Sequence, residues 1–213
     1  MSKEIFWFRG ARFKILEGKR GVREAYNCMA DDYDYSKYLY LTRKMEKSEE
    51  RITSMWIRKL SSPVLDVGCG TGLILRKLHG TPIGLDINPW AVRRAGFHAP
   101  NAHRVIADAE HMPIRSNALP AVVCTEVLEH LPRPKLAVKE IWRVLKEGGL
   151  LIGSVPNRTF LWRFRVLSST CPHEEPFHNM YRMEEVEKLI EIFRKRTLRY
   201  SLLRLNVLFI ARK

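Results

Sequence analysis

The chain has 213 residues, a formal net charge of +14 at pH 7, and 46% hydrophobic against 28% charged residues. This length suffices for one domain with a substantial core, and the balance of hydrophobic and charged residues excludes a disordered chain. No apolar run approaches the ~20 residues that cross a bilayer. The first residues lack the apolar centre and cleavage site of a signal peptide, so we expect a cytoplasmic protein.

Four cysteines are scattered along the chain, at Cys28, Cys69, Cys124 and Cys171. None forms a C-x-x-C pair, so the pattern indicates neither a zinc site nor a disulfide framework. A thiol within a buried strand packs as a small apolar side chain. The cysteine pattern therefore favours a reducing compartment.

The positive charge is concentrated in the two ends of the chain. Residues 1–62 contain 14 basic and 9 acidic side chains, residues 63–157 contain 11 and 8, and residues 158–213 contain 12 and 6. A basic surface gathers phosphates by releasing counterions, so nucleic acid is the partner that these flanks favour. A charge that serves solubility or heat adaptation is the alternative, although heat adaptation usually raises glutamate together with lysine and arginine.

Residues 1–62 are predicted to form a basic, largely helical cap that precedes a core domain at 63–213. In residues 1–21, aromatic rings alternate with cations, as suits stacking on bases and contact with phosphates. An amphipathic cover that packs its rings on the core fits the same pattern, and so does a short strand pair. Two helices are predicted over residues 22–60, the second from about 37 to 59.

Residues 63–88 are the centre of the sequence. An apolar strand at 64–67 leads into a glycine-rich turn, a short helix at 73–78 and a second strand that ends on Asp86. Parallel strands joined in this way leave a crevice at their carboxyl ends, where glycine amides can approach a ligand and an acid can bind ribose hydroxyls. Glycines at 68, 70 and 72 fit neither the dinucleotide pattern G-x-G-x-x-G nor a P-loop. The unit predicts a nucleoside site of another class.

The later elements continue an alternation of strands and helices. Asn88 is expected to cap a helix that starts at Pro89, and Gly148-Gly149 is expected to stop the helix before the fifth strand. The remaining predictions are strands at 105–107 and 121–124, a helix at 136–145, a strand at 150–155, a helix at 183–193, and closing strands at 197–203 and 207–211.

Five ordered motifs resemble those of class I methyltransferases that use S-adenosylmethionine. VLDVGCGTG and GLDIN resemble the first two motifs of that family, and three later segments continue the match: ADAEHMPI (107–114), AVVCTEVLEHLP (121–132) and LKEGGLLIGSVPN (145–157). The resemblance covers roughly residues 60–157. It implies a Rossmann-like, doubly wound α/β fold with a mostly parallel seven-stranded sheet, an antiparallel last strand and an amino-terminal helical lid. Leu119-Pro120 departs from the Phe-Asp usual in the family, which puts the local turn in doubt.

The resemblance also implies how S-adenosylmethionine would be held. Asp66 and the glycine turn would contact the methionine end, Asp86 the ribose hydroxyls, and Asp108 with the Ala109 backbone the adenine. The predicted cofactor-binding set is Asp66, Gly68, Cys69, Gly70, Gly72, Asp86, Ile87, Asp108, Ala109 and Glu126.

A sulfonium methyl group is already activated, so a general base is needed only for an acceptor that is protonated at neutral pH. Glu126 and His130 follow the fourth strand at the carboxyl edge of the sheet, and His173 and His178 lie in a loop that could cover the pocket. These four are the candidate catalytic residues. Structural roles remain open: Glu129 with His130 could shape the loop, and the two later histidines could be solvated. No metal site is predicted.

The acceptor is not identified by the core motifs. The Asn/Asp-Pro-Pro-aromatic motif of many amine methyltransferases is absent, because Thr125-Glu126-Val127-Leu128 stands there, and a Pro-Cys nucleophile is absent too. The basic flanks favour methyl transfer to an rRNA or tRNA base. A small-molecule, lipid or quinone-like acceptor is the alternative, and an RNA-binding factor without turnover is the third hypothesis. An insertion at about 157–182 would bind substrate, with the candidate contacts Tyr33, Asn157, Arg158, Arg163 and Arg165.

Overall fold

A computed structural model of the chain describes residues 5–8, 11–14, 56–159 and 179–213. Near the amino terminus, β1 (Ile5–Phe8) and β2 (Ala11–Lys14) pair as an antiparallel hairpin, which is the strand pair left open by the sequence. The helices predicted between residues 22 and 60 lie outside the described residues, except that Trp56 and Ile57 are helical.

The centre of the described chain is a seven-stranded sheet in the order β5-β4-β3-β6-β7-β9-β8. All strands run parallel except β9, which is antiparallel to both of its neighbours. This confirms the predicted Rossmann-like fold with its seven-stranded sheet, whereas the predicted amino-terminal helical lid lies outside the described residues. The strands are β3 (Val64–Val67), β4 (Pro82–Asp86), β5 (His103–Ile106), β6 (Leu119–Thr125), β7 (Leu145–Pro156), β8 (Lys195–Tyr200) and β9 (Asn206–Arg212).

Within the described ranges, three α-helices and three short 3-10 turns connect these strands. Asn88 caps the first helix as predicted, because its side-chain oxygen accepts hydrogen bonds from the amides of Trp90 at 2.9 Å and Ala91 at 3.3 Å. The helices are α1 (Pro89–His98), α2 (Pro134–Val144) and α3 (Met183–Leu189), and the 3-10 turns are Leu75–Lys77, Leu128–His130 and Leu202–Arg204.

Several predicted boundaries were wrong. The helix expected at 73–78 is only the 3-10 turn Leu75–Lys77, because the few residues between Gly72 and Gly80 cannot repay the cost of helix nucleation. Gly148-Gly149 lies within β7 and does not stop α2. That helix ends earlier because Leu145 already pairs with Leu119 on β6.

Two later elements also differ in length from the prediction, and the segment that departs from the family is regular. Helix α3 ends at Leu189, whereas the prediction extended to 193, and β8 is Lys195–Tyr200 where 197–203 was expected. Leu119 and Pro120 both belong to β6, and a register shift between Leu119 and Ala121 absorbs the proline. The replacement of the family's Phe-Asp by Leu119-Pro120 therefore affects one bulge in β6 and leaves the sheet intact.

The sheet has an apolar core on each face. One core packs α2 and α3 against the sheet around Phe193 and Phe209. The other contains Ile57, Leu75 and Ala95, from the segment before β3, the first 3-10 turn and α1. Both faces of the central strands are thus buried, as their continuous apolar runs require.

Gly153 shows how closely the sheet and its core are packed. A β-carbon built at Gly153 would lie 2.2 Å from the Phe209 ring, on the neighbouring strand β9. We expect Gly153→Ala to lower the free energy of unfolding by about 1–3 kcal/mol, since the ring must move within a filled core. Chemical denaturation measures this loss.

A double-mutant cycle separates this cause from a general effect of the added methyl group. In a Phe209→Leu background the smaller side chain should leave room, so Gly153→Ala should cost clearly less there. An equal cost in both backgrounds would show that the Phe209 ring is not responsible.

Candidate functional site

A glycine turn joins β3 to the first 3-10 turn at the carboxyl edge of the sheet. The amides of Gly68 and Cys69 both donate to the Leu85 carbonyl, at 2.7 and 3.1 Å, which ties the turn to the neighbouring strand. Gly68, Gly70 and Gly72 have φ angles of 69°, 49° and 89°. These left-handed angles are the reason why the turn is rich in glycine.

The three glycines differ in what surrounds them. A β-carbon at Gly68 would lie 2.3 Å from the side chain of Val127, and one at Gly72 would lie 3.1 Å from Ala95. A β-carbon at Gly70 would meet nothing within 4 Å. Packing therefore requires glycine at 68 and 72, whereas the space over Gly70 is open to a ligand.

Asp86 ends β4 and holds the glycine turn. Its Oδ2 accepts the Gly70 amide at 2.8 Å, and its Oδ1 accepts the Asn88 amide at 2.9 Å. Burial raises the pKa of this carboxyl, and backbone hydrogen bonds from Asn88, Gly70 and Ile87 counteract that rise. The carboxylate is half-buried and connects the turn, the end of β4 and the start of α1.

Asp66 is a buried carboxyl on β3, only 2% exposed. Among the described residues its Oδ2 has no hydrogen-bond partner. Burial and, after it, the negative charge of Asp86 raise its pKa to about 8, although a backbone hydrogen bond from Leu75 opposes the shift. A cationic ligand group would compensate this orphaned oxygen.

Cys69 lies between these groups, but its thiol is not reactive. The side chain is buried, and burial, followed by the charges of Asp66 and Asp86, raises the pKa of the thiol. A neutral buried thiol is a poor nucleophile. Cys69 therefore contributes its backbone and its volume to the turn.

Asp108 and Ala109 follow the end of β5, close to Asp86. The Ala107 amide donates to the Asp86 carbonyl at 3.0 Å, which joins the two strand ends. Asp108 accepts the Glu110 amide at 2.9 Å, and Ala109 is buried. The structure thus brings together the acids predicted at the ends of three strands.

Glu126 follows β6 at the same edge, with an unusual positive φ of 53°. Its Oε1 accepts hydrogen bonds from the Ser154 hydroxyl at 2.7 Å and from the Asn206 amide group at 3.3 Å. Sequence reasoning missed Ser154 and Asn206. Asn206 lies 80 residues from Glu126, and the pairing of β7 with β9 brings it there, so no local pattern could have indicated it.

The 3-10 turn after Glu126 is held in place by its surroundings. Glu129 is buried, with its Oε1 3.7 Å from Nε2 of His130. The Asn179 amide donates to the Glu129 carbonyl at 2.9 Å, and the Tyr181 hydroxyl donates to the Leu128 carbonyl at 3.2 Å. Burial, then the charge of Glu129, raises the pKa of Tyr181 to about 12. These contacts support the interpretation that Glu129 and His130 shape the loop.

Two predicted substrate contacts make bonds within the chain. The Asn157 side chain donates to the Arg204 carbonyl at 2.7 Å. Arg158 donates to the Met180 carbonyl at 2.9 and 3.2 Å and lies 3.4 Å from Glu185. Arg158 therefore joins the segments on either side of residues 160–178, and Asn157 joins the end of β7 to the 3-10 turn at Leu202–Arg204. The other predicted residues lie outside the described residues: Tyr33, Arg163, Arg165, His173 and His178.

Neither a metal site nor a membrane span is found in the described ranges. No cluster of three or more His, Cys, Asp and Glu side chains there could hold a metal ion. Among the same residues, no helix combines the length and apolar character that crossing a membrane requires.

A family model described as a methyltransferase domain matches residues 65–153, the stretch that contains the glycine turn and the three acids. Over these residues the chain is a methyltransferase domain of the S-adenosylmethionine-dependent class I type. This confirms the resemblance noted in the motifs. The cofactor of this methyltransferase family is S-adenosylmethionine.

Two relatives match part of the chain. An uncharacterized protein of Methanocaldococcus jannaschii is 34% identical over 140 residues, covering 65% of this chain and 53% of that protein. The ubiquinone biosynthesis O-methyltransferase of Xanthomonas oryzae pv. oryzae is 35% identical over 104 residues, covering 45% and 44%. The methyltransferase chain thus spans about half the length of these relatives.

A solved structure shares the fold over nearly the whole chain. It is the complex between the Haloferax volcanii Trm112 methyltransferase activator and a methyltransferase, with a TM-score of 0.65 and 16% sequence identity. The match covers 90% of this chain and 96% of that one. At this identity the similarity concerns the fold alone.

Proposed function

We propose that this protein transfers a methyl group from S-adenosylmethionine to a base in RNA, at the carboxyl edge of the sheet. The observation that carries the cofactor assignment is the carboxylate of Asp86. It holds the Gly70 amide at 2.8 Å, beside the open space over Gly70. This arrangement suits a nucleoside whose ribose hydroxyls donate to the acid.

The residues present fit the rest of the cofactor as well. The orphaned Oδ2 of Asp66 matches the ammonium group at the methionine end, because a buried acceptor needs a donor or a cation. Asp108 and the Ala109 backbone would hold the adenine, next to the Asp86 carbonyl that accepts the Ala107 amide. Ile87 and Glu126 complete the proposed cofactor set.

When bound, S-adenosylmethionine supplies a methyl group that is already activated. The chain then has to align the acceptor, exclude water and, for a protonated acceptor, remove a proton. Glu126 is the described residue best placed for this, because Ser154 and Asn206 hold its carboxylate in one position at the edge. We assign it the orientation of the acceptor, with proton removal where the acceptor requires it.

The loop after β8 provides a surface for a nucleotide at this edge. Because β8 runs parallel to β7, its end lies at the edge that also carries Glu126. The Arg204 guanidinium lies 4.3 Å from the centre of the Tyr200 ring, and Leu203 beside it is 50% exposed. Both Leu203 and Arg204 have a φ of 56°, a conformation that non-glycine residues adopt at some energetic cost. An exposed cation on a ring suits base stacking and phosphate contact.

The charge of this end of the chain supports RNA as the acceptor. Residues 192–213 contain seven Lys or Arg and no Asp or Glu. Lys195 and Arg212 are register partners on β8 and β9, and both are exposed. Arg199 is exposed on the same face of β8 as Lys195, four residues along the strand. A strip of cations therefore leads from the edge hairpin to the loop at Arg204.

This gives a test of the RNA assignment. We expect the double variant Arg199→Ala, Arg204→Ala to bind tRNA about tenfold more weakly, with a shallower salt dependence, because two phosphate or base contacts are removed. S-adenosylmethionine affinity should not change. Fluorescence anisotropy with labelled tRNA at two salt concentrations measures the first, and calorimetry measures the second.

The matched control is the double variant Lys135→Ala, Lys139→Ala, which removes two exposed cations from α2 on another part of the surface. Equal weakening by this control would mean that only net charge matters. Unchanged tRNA binding in the double variant would contradict the proposed RNA surface.

A small-molecule or quinone-like acceptor is the second candidate, and one observation favours it. The chain is 35% identical over 104 residues to a ubiquinone biosynthesis O-methyltransferase. Transfer of labelled methyl into a host extract that lacks this protein distinguishes the two acceptors. Label that ribonuclease removes supports RNA, whereas label in the organic-soluble pool supports the second candidate. Binding of RNA without any transfer would support a non-catalytic factor.

We further propose that residues 1–62 and the insertion at about 157–182 complete the acceptor site around a core at 63–213. Aromatic rings and cations alternate in both segments, which suits a nucleic-acid surface. The proposed substrate contacts there are Tyr33, Arg163 and Arg165, and His173 and His178 are the proposed catalytic bases.

A further inference from the structure

Large apolar side chains are exposed on one outer face of the molecule. Trp90 on α1 is 45% exposed, Phe97 on α1 is 81% exposed, and Ile106 on β5 is 58% exposed. Among the described residues only Ile192 and Leu203 are comparable. We name the surface formed by Trp90, Arg93, Phe97, Arg104 and Ile106 the α1–β5 face.

The exposed side chains of α1 form one stripe. Trp90 and Phe97 are seven residues apart and therefore lie on the same side of the helix, with Arg93 and Arg94 between them. The buried residues of α1 are Ala91, Val92 and Ala95, which lie on its opposite side. The stripe thus turns its apolar side chains away from the protein's own core.

Strand β5 is the last strand of the sheet on this side, and its outer edge has no partner among the described strands. The Ala107 amide, just after β5, points to β4 and donates to the backbone carbonyl of Asp86. Because backbone groups of alternate residues point the same way, the amides and carbonyls of Arg104 and Ile106 point off the sheet. Such an edge is ready to pair with another strand.

The side chain of Arg104 does not obstruct this edge. Its guanidinium group packs over Gly96 of α1, where an added β-carbon would lie 3.1 Å from Cζ. It also donates to the Ala102 carbonyl at 3.3 Å. The usual protection of an edge by a projecting charge is therefore weak at this position.

The charge of this face identifies the chemistry of a partner. Residues 87–107 contain three arginines and no Asp or Glu. A second copy of this chain, docked by the same face, would bring arginines against arginines in an isologous contact. A partner with carboxylates opposite the exposed Arg93 complements the face instead.

We propose that the α1–β5 face binds an acidic protein that adds a strand to the edge of β5 and covers Trp90, Phe97 and Ile106. Strand addition uses the backbone groups of Arg104 and Ile106 for hydrogen bonds and the apolar side chains for specificity. RNA is the less suitable occupant, because it offers no strand to pair and three large apolar side chains would face it. This surface is separate from the cationic strip proposed for RNA.

The test begins with capture by the tagged full chain, alongside the variants Phe97→Asp and Ile192→Asp. Ile192→Asp is the matched control, since it makes the same change at another exposed apolar side chain. We select a polypeptide that is captured by the wild-type chain and by Ile192→Asp but not by Phe97→Asp. This polypeptide is then produced separately and mixed with the full chain. Its affinity is measured by calorimetry at low and high salt, and amide hydrogen exchange is measured at residues 103–107.

We expect an acidic polypeptide that binds one to one, protects the Arg104 and Ile106 amides, binds at least tenfold more weakly to Phe97→Asp, and weakens with salt. The proposal is overturned if no polypeptide binds Ile192→Asp and fails to bind Phe97→Asp. It is also overturned if these amides are already protected in the isolated chain, if protection appears only as the chain dimerises, or if tRNA alone protects them.

Discussion

Replacing Asp86 with alanine should weaken S-adenosylmethionine binding at least about 100-fold. Hydrogen bonds to a charged group contribute about 1.5–3 kcal/mol each, and the ribose would lose two of them. The substitution also removes the acceptor of the Gly70 amide, at 2.8 Å, so the glycine turn loses its anchor. Isothermal titration calorimetry at neutral pH measures the affinity.

Two variants make this result specific. Glu187→Ala removes an exposed carboxylate from α3 and should leave the affinity unchanged, which controls for net charge. Asp86→Asn keeps an oxygen for the Gly70 amide and should fall between wild type and Asp86→Ala. Wild-type affinity in Asp86→Ala would show that the nucleoside binds elsewhere.

The free energy of unfolding should fall as the pH rises from about 4 to 8, mainly because of Asp66. Burial raises its pKa from the ordinary 3.8 to about 8, so within this window the unfolded chain releases a proton that the folded chain retains. The stabilisation that Asp66 contributes is therefore fully present below pH 4 and is lost as the pH rises. The slope is up to about 1.4 kcal/mol per pH unit. Asp86, whose pKa is raised too, adds to the same trend.

Asp66→Asn isolates this contribution. The amide does not ionise, so denaturation curves between pH 4 and 8 should show a flatter dependence than wild type. S-adenosylmethionine affinity should fall in the same variant, because the ammonium group loses its counter-charge. An unchanged slope in Asp66→Asn would mean that Asp66 ionises in the folded chain at its ordinary pKa.

Glu140→Gln is a control, because the pKa of Glu140 is shifted in the direction opposite to that of Asp66. A hydrogen bond from Arg143 lowers the pKa of Glu140, so its stabilisation is present above its ordinary pKa and is lost as the pH falls. The substitution should therefore lower the free energy of unfolding at neutral pH and flatten its fall on the acid side of the profile. It should leave the decline towards pH 8 as in wild type.

Much of the core could be predicted because its signals are local. The glycine turn and Asp86 form one continuous stretch with apolar runs on each side, and Asn88 caps the following helix through its nearest amides. Such signals depend on backbone preferences within a few residues. They were sufficient for the fold class, the family and the positions of the three strand-end acids.

Element lengths and the surroundings of Glu126 depended on contacts between distant residues. Helix α2 ends where Leu145 pairs with Leu119, and the glycines that follow do not determine that end. The partners of Glu126 lie 28 and 80 residues away, and the partner of Asn157 lies 47 residues away. Strand register sets these distances.

The sequence by itself determined which chemistry the chain carries, namely a nucleoside site with acids at strand ends and basic flanks. Only the tertiary structure decided which polar groups have hydrogen-bond partners within the chain and which apolar side chains are exposed. Arg158 is of a residue type that often contacts phosphate, yet its guanidinium group donates to the Met180 carbonyl and forms an ion pair with Glu185. Phe97 is an ordinary core side chain by type, yet it faces outward. Burial and pairing arise when the whole sheet is assembled, and residue type or local spacing does not specify them.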